Sequence, residues 1–372
     1  MNPLCCSASK KNQEKKDCFT DLSSLTLFIT DRCNANCAQC FRSSTGRKEA
    51  TFQHLQDIIR AFPRLKDLYY CGGEPTLHPD IRKLLEFGIE NGNTPRFTTN
   101  GIRPLSEVLD GLSPDRVGVT TISIDSIIPE LHDFLRGRTG TLNAALDSLT
   151  YLMANDFDAC TQTTVSRVNL ETLIPTYEAL YDMGVRNFRT HLMSIEGARA
   201  ELAGLVHLSP TEWRYHTQLL DDFADRHPDV SLHYPYIFLR EDEISQILTS
   251  DEIEEILRHD HDVSYQLPFT KCRALKEDNF ALYATIGNGT CYACPLGAEN
   301  LHLTHSEYNP ESKRMEKNLN SPTSQMPFLR KSHFLCPASP IATGLSHNVI
   351  VENGVRYFIY CRYFNNSQLK RQ

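Results

Sequence analysis

Between residues 25 and 226 the sequence alternates six times between a short apolar run and a longer segment with apolar residues at helical spacing. Parallel strands need a long crossover connection, and a helix is its usual form. The alternation therefore predicts an α/β fold, either a partial (β/α)6 barrel of the TIM type or a doubly wound sheet, with ligand-binding groups on the loops after the strands. The predicted strands are 25–29, 65–71, 97–99, 117–124, 158–165 and 187–193, and the predicted helices are 50–61, 78–90, 104–111, 141–154, 169–182 and 210–226.

Three cysteines follow the first predicted strand directly. Cys33, Cys37 and Cys40 are separated by gaps of three and two residues, so their thiolates can converge in one tight loop. A tetrahedral zinc site takes four N or S ligands, often as paired CxxC motifs. Three cysteines instead favour an iron–sulfur cluster with one iron that has no protein ligand and can bind a substrate or cofactor. The alternative is three reduced core cysteines that happen to lie close together.

The second predicted strand ends in the sequence Cys-Gly-Gly-Glu-Pro. Gly72 and Gly73 have no Cβ, so a ligand can approach the backbone closely, and Glu74 can accept hydrogen bonds from a ligand amine. Pro75 completes an ordinary turn sequence, so the motif alone is weak evidence. Its position one strand after the three cysteines makes it a predicted ligand site.

Polar residues also follow the third and fourth predicted strands. Asn100 is either a ligand contact or the side-chain cap of a strand-to-helix turn. Ser123 and Asp125 alternate with isoleucines, so both project to the same face of a strand. A serine and an acid together suit either the ribose hydroxyls or the amino-acid end of a bound cofactor.

A CxxxCxxC motif followed by an aromatic residue, Phe41, after the first strand of an alternating chain resembles the radical S-adenosylmethionine (SAM) superfamily. The resemblance implies a [4Fe-4S] cluster whose open iron is chelated by the amino and carboxylate groups of SAM. An electron from the cluster then breaks a carbon–sulfur bond of SAM, and the 5′-deoxyadenosyl radical takes a hydrogen atom from the substrate. It also implies that the Phe41 backbone contacts adenine and that Gly73 and Glu74 contact the methionine amino group.

Two further stretches resemble parts of the same superfamily. The sequence LHDFLR is similar to the HDxxR stretch of members with SPASM-type C-terminal domains, which nominates Arg136, or else Arg138, to pair with the SAM carboxylate. The end of the sixth strand resembles the adenine-flanking strand and nominates Leu192, with Met193 beside it, although core packing also explains apolar residues there. Residues that could face the substrate are His191, Glu196 and Arg199.

The pattern changes beyond about residue 235, which predicts a second, smaller α+β domain. Residues 241–259 are acidic and helical in spacing, while 280–286 and 349–359 are typical of strands in two hairpins. Residues 300–330 are polar and unpatterned, which predicts a long surface loop. The predicted organisation is a polar leader at 1–23, the barrel at 24–235 and the second domain at 236–372.

Five cysteines lie in this second domain. One four-iron cluster needs four thiolates, so five favour a single cluster with one spare thiol. The arrangement resembles the twitch domain, a shortened SPASM domain, and implies one auxiliary [4Fe-4S] cluster. The alternative is a structural zinc bound by the same thiolates. The cysteines are Cys272, Cys291, Cys294, Cys336 and Cys361.

Composition narrows the class of partner. A net charge of -8 argues against a nucleic acid or an anionic membrane as the main partner. No apolar run approaches the roughly 18 residues of a membrane span, and no apolar segment follows the N-terminal lysines as it would in a signal peptide. Thirteen cysteines favour metal binding in a reducing compartment, which predicts a cytoplasmic protein.

The resemblance implies a radical SAM enzyme that receives electrons from a donor such as flavodoxin or ferredoxin. Auxiliary clusters in the twitch and SPASM group commonly accept an electron from the substrate radical, so we expect the oxidation of a small metabolite or a short peptide. Peptide crosslinking or epimerisation is the alternative within the group, and a non-catalytic iron–sulfur or zinc scaffold is the alternative of another class. The sequence assigns no catalytic side chain and no substrate, because the loops that would contact the substrate carry no motif.

Overall fold

A parallel sheet is the centre of the fold. The structure, a computed structural model of the chain, describes residues 24–40, 49–193, 208–234, 236–258, 281–284, 290–292, 304–309, 314–317 and 349–361. Seven strands are parallel neighbours in chain order, and six of them were predicted. They are β1 (Ser24–Thr30), β2 (Asp67–Gly72), β3 (Thr94–Thr99), β4 (Thr120–Ser123), β5 (Ala159–Val165), β6 (Asn187–Leu192) and β7 (Ser231–His233). This is the predicted α/β partial barrel.

Helices connect the strands, as the alternation predicts. The apolar face of the first helix buries Leu55, Ile58 and Ile59, which recur at the spacing of one helix face. The helix that follows β6 begins with a capping box, in which Ser209 and Glu212 satisfy each other's backbone N–H groups. The fourth helix was not predicted. The helices are α1 (Phe52–Arg60), α2 (Ile81–Glu90), α3 (Ser106–Leu109), α4 (Pro129–Arg136), α5 (Thr141–Ala154), α6 (Leu173–Asp182) and α7 (Pro210–Arg226).

The two faces of β6 show which side chains enter the barrel. The ring of Phe188 lies 4.7 Å from that of Tyr177 on α6, and the Tyr177 hydroxyl lies 2.6 Å from Thr190 Oγ1. Phe188 and Thr190 therefore face the helices. Because side chains alternate along a strand, Arg189 and His191 face the inside of the barrel.

Four short C-terminal strands continue the same sheet. The first pairs in parallel with β1, and the next three follow it in antiparallel order. The last two fall within 300–330, so the prediction of an unstructured loop there was wrong. Both are polar strands, and the outer one forms the edge of the sheet. They lack the apolar alternation that marks a half-buried strand. The four strands are β9 (Ala281–Ala284), β10 (Thr290–Tyr292), β11 (Thr304–Asn309) and β12 (Arg314–Lys317). The strand that precedes them in the chain, β8 (Tyr236–Arg240), belongs to a second sheet.

A second sheet of three antiparallel strands packs beside α7. It combines β8 with the predicted C-terminal hairpin, β13 (Val349–Glu352) and β14 (Val355–Cys361). Asn353 and Gly354 connect this hairpin with positive φ angles of 52° and 77°, as a type I′ turn requires. The predicted acidic helix is two helices, α8 (Glu241–Ile244) and α9 (Ser250–Arg258). Among the described helices, none has the length and apolar character to cross a bilayer.

Candidate active site

The cysteine-bearing loop, residues 31–40, is held against the C-terminal end of α4. Asn36 N–H donates to the carbonyl of Arg136 at 3.0 Å, and Ala38 N–H donates to that of Leu135 at 2.8 Å. Gly137 caps α4 with a φ of 62°, and a Cβ there would lie 2.2 Å from the Asn36 carbonyl oxygen. The carbonyls that a helix leaves unpaired at its end therefore fix the backbone between the cysteines.

Two of the three cysteines lie beside side-chain N–H donors. All three are half-buried. Asn100 Nδ2 is 4.0 Å from Cys33 Sγ, and Arg136 Nη1 is 3.9 Å from Cys37 Sγ. Burial raises the pKa of Cys33 to about 11 and also raises the pKa of Cys37, which the Arg136 charge opposes. Positive charge at this loop, from Arg136 or from bound iron, therefore favours the thiolates that a metal needs.

The donor set fits a cluster better than a single ion. Within the described residues, no three His, Cys, Asp or Glu side chains converge tightly enough to hold one metal ion. In a four-iron cluster each cysteine binds a different iron, so the thiolates stay apart while sharing one group. Cys33, Cys37 and Cys40 are all half-buried on one short loop, so their thiols are open to a group that they would share.

The two glycines after β2 are packed against the start of the cysteine-bearing loop. Gly73 N–H donates to the Thr30 carbonyl at 2.7 Å, and a Cβ on Gly72, whose φ is 145°, would lie 2.3 Å from the same oxygen. A Cβ on Gly73 would lie 2.3 Å from the carbonyl oxygen of Arg32. The chain's own backbone thus occupies the space that the missing side chains leave. Pro75 is buried and begins a short 3₁₀ helix.

Glu74 is 1% exposed and ties two loops together. Its Oε1 accepts hydrogen bonds from Thr76 N–H at 3.1 Å, Thr76 Oγ1 at 2.6 Å and Thr99 Oγ1 at 2.7 Å, while Oε2 accepts one from Asn100 N–H at 2.8 Å. Burial raises the pKa of the Glu74 carboxyl, and these four donors oppose that rise. Oε2 has a single donor, so it is the oxygen that can accept the predicted bond from a ligand amine.

Asn100 forms the predicted turn and also contacts the cysteine-bearing loop. Its Oδ1 accepts from Ile102 N–H at 3.0 Å, which forms the turn after β3. Its Nδ2 donates to Asn34 Oδ1 at 2.8 Å, so the same side chain reaches the cysteine-bearing loop.

Asp125 and Arg136 form a buried ion pair below the cysteines. Arg136 Nε lies 2.8 Å from Asp125 Oδ2, and the two side chains are 10% and 0% exposed. Asp125 Oδ2 also accepts from Gln39 Nε2, and Oδ1 accepts from Thr164 N–H at 2.9 Å. The Asp125 charge raises the pKa of the Arg136 guanidinium. Arg136 therefore connects Asp125 to Cys37.

The comparison with known families agrees with this geometry. Residues 27–180 match the sequence profile of the radical SAM superfamily. This part of the chain is a radical SAM domain. The superfamily uses a [4Fe-4S] cluster and SAM, which are the cofactors of this domain, and SPASM-type homologues carry auxiliary clusters.

Curated relatives match part of the chain. The AdoMet-dependent heme synthase of Methanosarcina barkeri is 30% identical over 162 residues, which cover 42% of this chain and 46% of that protein. The mycofactocin maturase MftC of Mycobacterium ulcerans is 31% identical over 188 residues, which cover 49% and 50%. The chain therefore spans about half the length of the curated relatives it matches.

A solved structure shows the same fold over most of the chain. Native anSMEcpe with bound AdoMet and Cp18Cys peptide superposes with a TM-score of 0.57 at 14% sequence identity, and the superposition covers 86% of this chain and 88% of that chain. At this identity the likeness is one of fold.

The other residues predicted to contact SAM lie inside the barrel, at the end of β6 or on the outside of the cysteine-bearing loop. Ser123 is 8% exposed and faces the inside of the barrel with Asp125. Leu192 is half-buried at the end of β6, and Met193 is 4% exposed. Arg138, the alternative to Arg136, donates to the Asn34 carbonyl at 2.7 Å on the outside of the cysteine-bearing loop.

Several predicted residues lie outside the described part of the chain. Cys291 in β10 and Cys361 at the end of β14 are described by their backbone alone. The residues outside are Phe41, Glu196, Arg199, Cys272, Cys294 and Cys336.

Three residues that the sequence did not single out form hydrogen bonds with Asp125. Gln39 bonds Asp125 from within the cysteine motif, so its position could have drawn attention. Asn169 donates to the Asp125 carbonyl at 2.8 Å, and His132 Nδ1 accepts from Asp125 N–H at 3.1 Å. Burial lowers the pKa of His132 to about 4, so the ring is neutral at pH 7. His132 lies in the HDxxR stretch, while no pattern marks Asn169.

Proposed function

We propose that the chain is a radical SAM enzyme in which Cys33, Cys37 and Cys40 hold the [4Fe-4S] cluster. A cluster held by these residues would supply the electron that cleaves SAM to methionine and a 5′-deoxyadenosyl radical, and this radical would take a hydrogen atom from the substrate. The observation that carries the proposal is the loop of three half-buried thiols, fixed to the end of α4 and contacted by Arg136, inside a radical SAM domain.

The residues around the loop have positioning roles in this proposal. Asn100 and Arg136 direct N–H groups at two of the sulfur atoms, which stabilises negative charge there and tunes the cluster potential. The loop of Gly72, Gly73 and Glu74 offers backbone carbonyls and Glu74 Oε2 to the SAM amino group. Other proposed SAM contacts are Phe41, Pro75, Ser123, Asp125 and Leu192.

We propose a peptide as the first substrate class to test and a small metabolite as the second. A curated relative is a mycofactocin maturase, and a similar solved structure holds a peptide beside AdoMet. The proposed reaction is an oxidation, with an electron leaving to an auxiliary cluster in the domain proposed at 236–372. Crosslinking or epimerisation is the alternative. A donor such as flavodoxin or ferredoxin would supply the reducing electron, and a cytoplasmic location would keep thirteen cysteines reduced.

The central experiment measures 5′-deoxyadenosine after anaerobic reconstitution, reduction and addition of SAM. We expect the wild type to form it and Cys37→Ala to lose both this activity and roughly four irons per chain. Cys160→Ala is the matched control, because Cys160 is buried in β5 away from the loop. If Cys37→Ala and Cys160→Ala behave alike, or the wild type forms no 5′-deoxyadenosine, the chain is a scaffold and the proposal fails.

The auxiliary cluster has its own test. Roughly eight irons and no zinc per chain would support two clusters, whereas about four irons and one zinc would leave only a structural metal site. We expect Cys291→Ala to retain SAM cleavage and to lose substrate turnover and about four irons. The spare thiol is the one of the five C-terminal cysteines whose replacement leaves the iron content unchanged.

A further inference from the structure

The inside of the barrel carries a row of polar side chains between β4 and β7. Strand register aligns Ser123 with Gln162, Gln162 with Arg189 and Arg189 with His233. His191 lies one row closer to the carboxyl ends of the strands. Residues in register on neighbouring strands point the same way, so these side chains share one surface inside the barrel.

Arg189 is a half-buried cation without a carboxylate partner among the described residues. Three carboxylates occupy inward positions on β1–β7 or just after them, and all three are engaged. Glu74 accepts four hydrogen bonds. Asp67 Oδ1 lies 2.7 Å from Arg96 Nη2, and Asp125 Oδ2 lies 2.8 Å from Arg136 Nε. A charge that leaves bulk water without a partner is unfavourable, so a cation kept in this position indicates an anionic ligand.

His191 adds a hydrogen-bonding group rather than a second full charge. Burial, with His233 and Arg189 acting in the same direction, lowers the pKa of His191 to about 4. The His191 ring is therefore neutral at pH 7 and donates one N–H. A carboxylate of charge −1 matches one guanidinium in charge and in its planar pair of oxygens, whereas a phosphate monoester near −2 would keep excess charge.

We propose that Arg189, with His191 and His233 beside it, binds a carboxylate group of the substrate inside the barrel. This inference rests on the proposed radical SAM function. A strand advances about 3.3 Å per residue, so the Arg189 row lies roughly 7 Å below Asp125, which holds Arg136 against Cys37. A carboxylate fixed at Arg189 would direct the adjoining carbon atoms of the substrate toward the cluster end of the barrel.

The test uses glutarate as a carboxylate probe and isothermal titration calorimetry as the readout. The protein is reconstituted and saturated with SAM without a reductant, so that the SAM site is filled and no chemistry occurs. We expect glutarate to bind the wild type, glutaramide to fail to bind, and Arg189→Gln to weaken glutarate binding at least tenfold. Arg189→Lys should lose less, because it keeps the charge but not the planar fork.

Arg186→Gln is the matched control, because Arg186 pairs with Asp229 at 2.6 Å and stacks on Tyr181 outside the barrel. Its glutarate affinity should equal that of the wild type. No binding to the wild type, equal binding to Arg189→Gln, or preference for inorganic phosphate would each overturn the carboxylate site. Cys37→Ala separates the two proposals when it and the wild type are both titrated without SAM. It should bind glutarate as the wild type does, although it cannot cleave SAM, so each proposal can fail alone.

Discussion

The two halves of the barrel, β1–β4 and β5–β7, differ in whether their inward charged side chains have partners. At the ends of β1–β4 each inward carboxylate is held by several donors: Glu74 accepts four hydrogen bonds, and Asp125 is bonded to Gln39, Arg136 and Thr164. Across β5–β7, Arg189 faces the same interior without a described carboxylate partner. The side chains of the first half are already held in place by hydrogen bonds, as a cofactor site requires. The second half keeps an arginine whose charge a substrate carboxylate can balance.

The largest expected effect tests the first half. Asp125→Ala leaves the Arg136 guanidinium buried and uncompensated, so we expect the free energy of unfolding to fall by about 3–5 kcal/mol. Urea unfolding followed by circular dichroism measures it. Asp229→Ala is the control, because its pair with Arg186 is exposed and screened by water, and its effect should be far smaller. Equal losses would mean that burial of the Asp125 pair has no energetic consequence.

Two glycines after α4 allow a matched test of its contact with the cysteine-bearing loop. Gly137 and Gly140 have φ values of 62° and 80°, but a Cβ at 137 would lie 2.2 Å from the Asn36 oxygen, whereas one at 140 meets nothing within 4 Å. We expect Gly140→Ala to cost about 1–2 kcal/mol from its backbone conformation. Gly137→Ala should cost about 1–3 kcal/mol more, because the loop must move.

Urea unfolding measures both variants, and the rate of iron loss to a chelator reports the loop itself. Only Gly137→Ala should speed iron loss. If both variants lose iron at the wild-type rate, the helix end does not hold the cysteines in place.

A pH titration of stability tests the buried histidine of the first half. The pKa of His132 is about 4 when folded and ordinarily about 6.5, so the unfolded chain takes up the proton first as the pH falls. Stability is therefore lost between about pH 6.5 and pH 4, by roughly 2–3 kcal/mol for this residue. His132→Gln should flatten the profile, and the remaining slope should include His191, whose pKa shifts the same way. A profile unchanged by His132→Gln would contradict the shift.

Sequence alone predicted what depends on local pattern. The strands β1–β6, the positions of the cysteines and the glycines at the end of β2 follow from periodicity and spacing. The partners of Glu74 did not, because Thr99 and Asn100 lie about 25 residues away and meet it only when β2 and β3 pair. The α4 helix was also missed, although its last carbonyls hold the cysteine-bearing loop.

The role of Arg189 in the second half of the barrel could not be predicted for a different reason. A histidine or arginine within an apolar strand is typical of a satisfied core residue, so no sequence pattern singles out Arg189. Its significance depends on which carboxylates inside the barrel are already paired, and strand register across the sheet decides that.

The smallest expected effect is the sharpest test of the contrast between the halves. Arg96 and Arg189 both face the barrel interior and are half-buried, but Arg96 is bonded to Asp67 at 2.7 Å and lies 5.4 Å from the Tyr69 ring. We expect Arg96→Gln to lower the free energy of unfolding by about 1.5–3 kcal/mol, because it breaks a charged hydrogen bond.

Arg189→Gln should change the free energy of unfolding by less than about 0.5 kcal/mol, or raise it, because a group held ready for a ligand contributes little to folding. Urea unfolding of both variants without substrate gives the comparison. If Arg189→Gln costs as much as Arg96→Gln, Arg189 is a structural cation whose partner lies outside the described residues. If Arg189→Gln keeps the wild-type stability but fails to bind glutarate, the Arg189 side chain contributes to binding and not to folding. A purely structural arginine would not give this result.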